Sequence, residues 1–194
     1  KVQVITGPRR AGKSSLLRLT IAKLLESGIG WDQICYLPLE DERIRGRSFP
    51  PDTILQAFRE LSADNSMLNE VFFFFDEIQY LQDWEPFINR VHEQISRHII
   101  LTGSNSRTLH TEVSSVLRGR GIAVELLPLS FSEYLAFRGI NYSDYGDQAV
   151  QTRTAFNDFV MQGGYPETVA LPIPTGRQLL QEYFNTVMYR DIID

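Results

Sequence analysis

The stretch Gly7-Pro8-Arg9-Arg10-Ala11-Gly12-Lys13-Ser14-Ser15 decides the fold of this chain. It follows the apolar run 2–6 and precedes an amphipathic helical pattern over residues 16–25. A G-x-x-x-x-G-K-S sequence between a strand and a helix is typical of a phosphate-binding loop, whereas an ordinary glycine-rich turn would match it only by chance. The glycines let backbone N–H groups surround a phosphate chain, and the helix points the positive end of its dipole at it. We therefore expect residues 7–15 to bind nucleotide phosphates, with Lys13 at the β- and γ-phosphates and Ser14 on Mg²⁺.

Strand-like segments alternate with helical patterns through the first two thirds of the chain. They cover residues 2–6, 34–39, 71–75, 98–104 and 122–127. The third contains four consecutive phenylalanines, as expected of a central parallel strand that is covered on both faces. This order predicts an α/β fold of the P-loop NTPase type, with a five-stranded parallel sheet and helices on both faces.

The pattern becomes entirely helical after the last predicted strand. Helices are predicted over residues 130–138, 148–162 and 176–193, and Ser130 with Glu133 forms the capping box of the first. We therefore divide the chain into a nucleotide-binding core of residues 1–128 and a small all-helical region of residues 129–194. Residues 163–167, Gly-Gly-Tyr-Pro-Glu, are predicted to form a turn.

Composition narrows the classes of function. A net charge of −5 over 194 residues gives no support for a broad nucleic-acid surface. The one cysteine, Cys35, lies in a strand-like run and is predicted to be a buried, unreactive thiol. Use of a single cysteine is typical of a reducing compartment, so we expect a cytoplasmic protein. There is no apolar run of membrane-spanning length and no signal peptide, so we expect no membrane partner. The chain starts and stops abruptly, which suggests a piece of a longer protein.

Two carboxylates follow the phenylalanine-rich strand directly. The carboxyl end of a parallel strand lies beside the phosphate-binding loop, so Asp76 is predicted to hold Mg²⁺ and Glu77 to activate a water molecule. Two acids after a strand could equally be a helix N-cap pair if they stood alone. Together with the loop they favour the catalytic interpretation.

The pair of Asp76 and Glu77 also distinguishes between classes of nucleotide-binding protein. A kinase for small molecules needs no second carboxylate dedicated to water, so hydrolysis is favoured over transfer to a metabolite. The Asn-Lys-x-Asp motif that reads guanine does not occur, and the chain holds only three lysines, at positions 1, 13 and 23. We therefore expect the ligand to be ATP with Mg²⁺.

Four motifs in this order are similar to those of AAA-type ATPases with an additional catalytic glutamate. They are the loop 7–15, Phe75-Asp76-Glu77, Leu101-Thr102-Gly103-Ser104-Asn105 and Leu117-Arg118-Gly119-Arg120. Together with residues 128–134 and 163–167, they resemble a prokaryotic subgroup of AAA-like ATP-binding proteins. Its members carry a winged-helix-like region and a poorly characterised C-terminal domain.

The resemblance implies further roles. Ser104 or Asn105 would occupy the sensor position, which contacts the γ-phosphate or orients water. Arg118 or, by preference, Arg120 would be an arginine finger, usually supplied to a neighbouring subunit; a surface salt bridge is an equal alternative. The helical tail shows no convincing second-sensor arginine.

Two functions remain open at this point. The first is an ATP-hydrolysing switch that couples its nucleotide state to an attached C-terminal domain. The second is a module with negligible turnover, whose ATP-bound form recognises protein or DNA through the C-terminal region. Self-association is compatible with both.

Overall fold

The computed structural model describes residues 1–62, 68–104 and 120–187. These residues contain a five-stranded sheet in which every pairing is parallel. The strands are β1 (Val2–Thr6), β2 (Ile34–Pro38), β3 (Phe72–Asp76), β4 (Ile99–Gly103) and β5 (Gly121–Glu125). The predicted α/β class and five-stranded parallel sheet are confirmed.

The strand order β2-β3-β4-β1-β5 brings distant parts of the sequence together. Strand β4 lies between β1 and β3, with Thr6 opposite Gly103 and Phe75 opposite Leu101. Because the strands are parallel, their carboxyl ends share one edge of the sheet. The segments that follow β1, β3 and β4 therefore meet at that edge.

Helices cover the sheet on both faces, as predicted. They are α1 (Lys13–Glu26), α2 (Asp52–Leu61) and α3 (Trp84–Gln94), and short 3₁₀ turns lie at Trp31–Gln33, Leu68–Glu70 and Ile78–Tyr80. Phe73 and Phe75 pack among the buried residues of α2 and α3, whereas Phe74 packs on the opposite face with Leu17 and Ile21 of α1. The three phenylalanine side chains are fully buried because this strand has an apolar layer on each side.

The chain falls into two compact units, of which the second consists of Arg10–Gly12 and Leu127–Asp194. Its described helices are α4 (Phe131–Phe137), α5 (Gly146–Gln162), α6 (Pro166–Val169) and α7 (Ile173–Val187). Helix α6 was not predicted: Pro166 begins it at a first-turn position that tolerates proline, in a segment interpreted as a turn. Helix α7 begins three residues before its predicted start, and residues 188–194 lie outside the described residues.

The second unit has an apolar core of its own. Buried Tyr134, Leu135, Ala155 and Val169 form this core. The predicted capping box is confirmed, because the Ser130 N–H donates to the Glu133 carboxylate at 2.8 Å and the Ser130 hydroxyl accepts from the Glu133 N–H. In the same unit, the Arg10 guanidinium lies 4.0 Å from the centre of the Tyr183 ring and 3.8 Å from the Glu167 carboxylate.

Apart from residues 10–12, the second unit consists of the chain from Leu127 onward. The proposed division into functional domains at residue 128 stays a prediction. None of the helices in the described part of the chain is both long and apolar enough to cross a membrane.

We expect the Cys35 thiol to resist alkylation in the native protein. Its side chain is 8 % exposed, and burial raises its pKa to about 12. At pH 8 the native thiol is therefore protonated, and reaction with iodoacetamide should be roughly a thousandfold slower than in the urea-unfolded chain, where the pKa returns to about 8.5. Mass spectrometry over time measures both rates on the one cysteine. Equal rates in the two states would show that this strand is not packed as described.

Candidate active site

The loop that follows β1 adopts a conformation that few residues tolerate. Gly7, Arg10 and Gly12 have positive φ angles of 140°, 66° and 106°. A Cβ atom on Gly7 would lie 2.0 Å from the carbonyl oxygen of Leu126, so only glycine fits there. Helix α1 begins immediately afterwards at Lys13, and its first backbone N–H groups have no partner within the helix. The loop can therefore present N–H donors to an anion.

Lys13 places a positive charge at the carboxyl edge of the sheet, and its side chain is almost completely buried. Its Nζ donates to the carbonyl oxygens of Gly7 and Pro8 at 3.0 Å each and to the Ser104 hydroxyl at 3.1 Å. Glu77 Oε1 lies 3.5 Å from the same Nζ. Burial lowers the pKa of Lys13, and the charge of Glu77 opposes that shift. The ammonium group is thus held at the mouth of the loop by weak neutral acceptors and one carboxylate.

Asp76, at the end of β3, is a buried carboxylate surrounded by hydroxyl donors. The Thr102 hydroxyl donates to Oδ1 at 2.5 Å, and the Ser14 hydroxyl donates to the same oxygen at 3.0 Å. Tyr36 of β2 donates to Oδ2 at 3.2 Å. The Tyr36 phenol is protonated at neutral pH and can donate, and burial raises its pKa further.

Glu77 is held in an uncommon backbone conformation. Its φ of 57° and ψ of 59° lie in the left-handed region, which costs a non-glycine residue about 1–2 kcal/mol. The backbone N–H of Glu77 donates to the Thr102 hydroxyl at 2.9 Å, so this hydroxyl contacts both acidic residues. That bond helps to fix the direction in which Glu77 leaves the strand.

The side chain of Glu77 accepts hydrogen bonds on both oxygens. The Ser104 hydroxyl donates to Oε1 at 2.5 Å, and the Ser104 backbone N–H donates to Oε2 at 3.0 Å. Gln79 Nε2 also donates to Oε2, at 2.6 Å. The carboxylate is therefore positioned by residues that follow two neighbouring strands.

The residues present fit a magnesium ion. Ser14 Oγ and Asp76 Oδ1 are oxygen donors of the kind Mg²⁺ prefers, and they already lie 3.0 Å apart. The described residues contain no cluster of three or more His, Cys, Asp or Glu side chains able to hold a metal. A site with so few protein ligands suits Mg²⁺, which keeps several waters and shares its coordination with substrate phosphates.

The structure brings together most, but not all, of the predicted residues. Lys13, Ser14, Asp76, Glu77 and Ser104 form one hydrogen-bonded cluster. Of the other loop residues, Pro8 contributes its carbonyl, Arg9 donates to Tyr80 at 3.5 Å, Ala11 is buried, and Ser15 is exposed on the first turn of α1. Asn105 and Arg118 lie outside the described residues.

Arg120 lies at the opposite edge of the sheet. It precedes β5, its carbonyl oxygen accepts from Val2 at the start of β1, and its guanidinium pairs with Glu93 of α3. Five residues of β5 separate it from the carboxyl edge, roughly 16 Å at 3.3 Å per residue. Arg120 therefore lies too far from the loop of its own chain to contact a phosphate there, which disfavours a role as a finger within one chain. Action on a neighbouring copy stays a prediction.

Three residues of this network were missed at the level of sequence. Thr102 belongs to the motif of residues 101–105, but no role was predicted for it. A hydroxyl residue at the end of a buried strand is the signal that could have identified it. Tyr36 stood in a strand interpreted only as apolar, and its contact depends on the pairing of β2 with β3, in which it lies opposite Phe74. Gln79 had no signal beyond its closeness in sequence to Glu77.

Comparisons with known proteins identify similar sequences. A family model described as an AAA domain matches residues 1–135. The uncharacterized protein MJ1544 of Methanocaldococcus jannaschii is 32% identical over 200 residues, which cover 100% of this chain and 42% of that protein. An uncharacterized protein of Haemophilus influenzae is 29% identical over 195 residues, which cover 98% of this chain and 46% of that protein. The chain thus spans less than half the length of these curated relatives.

We expect Thr102→Val to destabilise the protein more than Thr102→Ser. Valine keeps the shape but leaves the buried Glu77 N–H without its acceptor and removes a donor from Asp76, at a cost of about 1–3 kcal/mol. Serine keeps the hydroxyl and loses one methyl group, which should lower the free energy of unfolding by about 1 kcal/mol. Urea unfolding measures the free energy of unfolding of each variant. A valine variant as stable as the serine variant would contradict the bridging role of this hydroxyl.

Proposed function

We propose a function for this chain from its family and its site: it belongs to the AAA domain family, and we infer that it binds Mg-ATP and hydrolyses it as a molecular switch. The observation that carries the proposal is the cluster of Lys13, Glu77 and Ser104 beside the phosphate-binding loop. A cation, a carboxylate and a short hydroxyl at this position match the three needs of phosphoryl transfer to water: charge neutralisation, water activation and phosphate contact.

Phosphate binding would begin with an exchange of partners at Lys13. Its present acceptors include two neutral carbonyl oxygens, those of Gly7 and Pro8. The β- and γ-phosphates would offer charged acceptors, which make roughly twice as strong a hydrogen bond. The backbone N–H groups of the loop would enclose the same phosphates. Residues 7–15 would therefore provide most of the affinity for the triphosphate.

The Ser14 hydroxyl and the Asp76 carboxylate would hold the magnesium ion, Asp76 directly or through water. When bound, such an ion neutralises charge that develops on the β- and γ-phosphate oxygens. The hydrogen bonds from Thr102 and Tyr36 would keep the Asp76 carboxylate in place while Ser14 turns its lone pairs toward the metal.

Glu77 would accept the proton of the attacking water. In the described arrangement its carboxylate is saturated by Ser104, Gln79 and Lys13, so it cannot act on water until a donor leaves. A γ-phosphate that draws Lys13 and the Ser104 hydroxyl to itself would free that acceptor. Binding of the substrate would thereby prepare the base for catalysis.

The wider behaviour of the protein is also a proposal. Nucleotide state would be coupled to the helical region of residues 129–194 and to the C-terminal domain that the resemblance implies. Arg120 would serve a second copy of the chain, which requires self-association. A protein or DNA partner would bind through the C-terminal region.

Phosphate release by the full-length protein tests the proposed reaction. Wild type should release phosphate from ATP in the presence of Mg²⁺, and Glu77→Gln should retain ATP binding but lose about 10²–10⁴-fold in kcat, the usual contribution of a general base. Glutamine keeps the size of the side chain, removes the base and replaces one acceptor oxygen with an amide donor. A coupled phosphate assay and calorimetric ATP binding give the two quantities.

The result can contradict the proposal in two ways. Wild type and Glu77→Gln that are equally inactive, while both bind ATP, would support the binding module without turnover. A wild-type protein that does not bind ATP would refute both functions.

A further inference from the structure

The two oxygens of the Glu77 carboxylate have different partners. Oε1 accepts from the Ser104 hydroxyl at 2.5 Å and lies 3.5 Å from Lys13 Nζ. Oε2 accepts from Gln79 Nε2 at 2.6 Å and from the Ser104 backbone N–H at 3.0 Å. The partners of Oε1 are thus the two side-chain groups that a γ-phosphate would attract. Those of Oε2 are an amide side chain and a backbone group.

Nucleotide binding would therefore release the two oxygens unequally. Lys13 and the Ser104 hydroxyl can rotate toward a phosphate, and both of them contact Oε1. The Ser104 N–H is fixed by the backbone, and Gln79 holds the other side of Oε2. Oε1 becomes available to water, whereas Oε2 remains anchored.

The Gln79 side chain that donates to Glu77 Oε2 also lowers the stability of the fold. Its Oε1 is buried and has no hydrogen-bond partner among the residues that the structure describes. An unpaired buried carbonyl oxygen destabilises a protein, and such a group in a native structure calls for a reason outside stability. The neighbouring Glu77 adds a left-handed backbone conformation to this cost. Two unfavourable features only two residues apart are typical of a functional site.

We propose that Gln79 is a positioning residue that anchors Glu77 Oε2, so that Oε1 is the oxygen that takes the proton from the attacking water. This inference rests on the proposed hydrolysis and assigns roles within the same site. It is specific to one residue, since the described chain offers no other side-chain donor to Oε2.

The full-length Gln79→Met variant tests the inference, because methionine has a similar length and neither donates nor leaves an amide oxygen unpaired. We expect kcat to fall between about 10-fold and 100-fold, the scale expected for a misplaced catalytic group. The KM for ATP and the calorimetric affinity should remain within about twofold of wild type, because the lost contact matters only in the chemical step. The free energy of unfolding in urea should equal or exceed that of wild type. A residue with a purely structural role would show the opposite, a less stable protein with unchanged kcat.

A matched control lies on α2. Gln56 Nε2 donates to Glu60 at 2.9 Å, which is also a glutamine-to-glutamate bond, but on an exposed helix face. Gln56→Met should leave kcat unchanged. Combining Gln79→Met with Glu77→Gln should lower turnover no further than Glu77→Gln alone, because Gln79 acts through Glu77.

The outcomes separate this inference from the proposed function. An active wild type with a Gln79→Met variant of equal kcat would overturn the inference alone. A Gln79→Met variant that is less stable or does not fold would also overturn it, since it predicts that this bond is not needed for stability. A wild type without phosphate release, equal to Glu77→Gln, would refute hydrolysis and with it the inference.

Discussion

The buried carboxylate of Asp76 is the interaction on which the rest of the site depends. Its two oxygens accept hydroxyl donors from three elements of secondary structure: Ser14 from α1, Tyr36 from β2 and Thr102 from β4. An ionised carboxylate can be buried only if such donors replace the water it loses. Each hydroxyl thereby ties its own element to the end of β3. The strand order, which places β4 between β1 and β3, makes this convergence possible.

A second layer of the site is organised by Glu77 and Lys13. The lysine and the glutamate satisfy each other through direct contact and through Ser104, so neither charge is left unpaired in the buried edge of the sheet. The same contacts occupy the groups that would act on a nucleotide. Binding of a nucleotide would therefore require some of these hydrogen bonds to exchange partners.

Local features of this fold were predictable from the sequence, and long-range ones were not. The loop 7–15, the phenylalanine-rich strand and the capping box at Ser130 are short patterns whose meaning depends on adjacent residues. Tyr36 contacts Asp76 across paired strands, and no local pattern contains that register. Arg120 shows a third case: a residue that precedes a parallel strand lies at its amino end, so the sequence held the information that excludes it from the loop of its own chain. Helix α6 was missed because proline and two glycines suggested a turn, although proline also begins helices.

We propose that Ser14 and Asp76 form a magnesium-dependent ATP site, and calorimetry tests this proposal most directly. ATP binding is measured in Mg²⁺ and in EDTA for wild type and for Asp76→Asn, which preserves shape and removes the charge. The account predicts that Mg²⁺ strengthens ATP binding to wild type about tenfold or more, and that Asp76→Asn loses most of this gain while binding ATP in EDTA no more weakly than wild type. An equal Mg²⁺-dependent gain in ATP affinity for wild type and Asp76→Asn would contradict the proposed magnesium site.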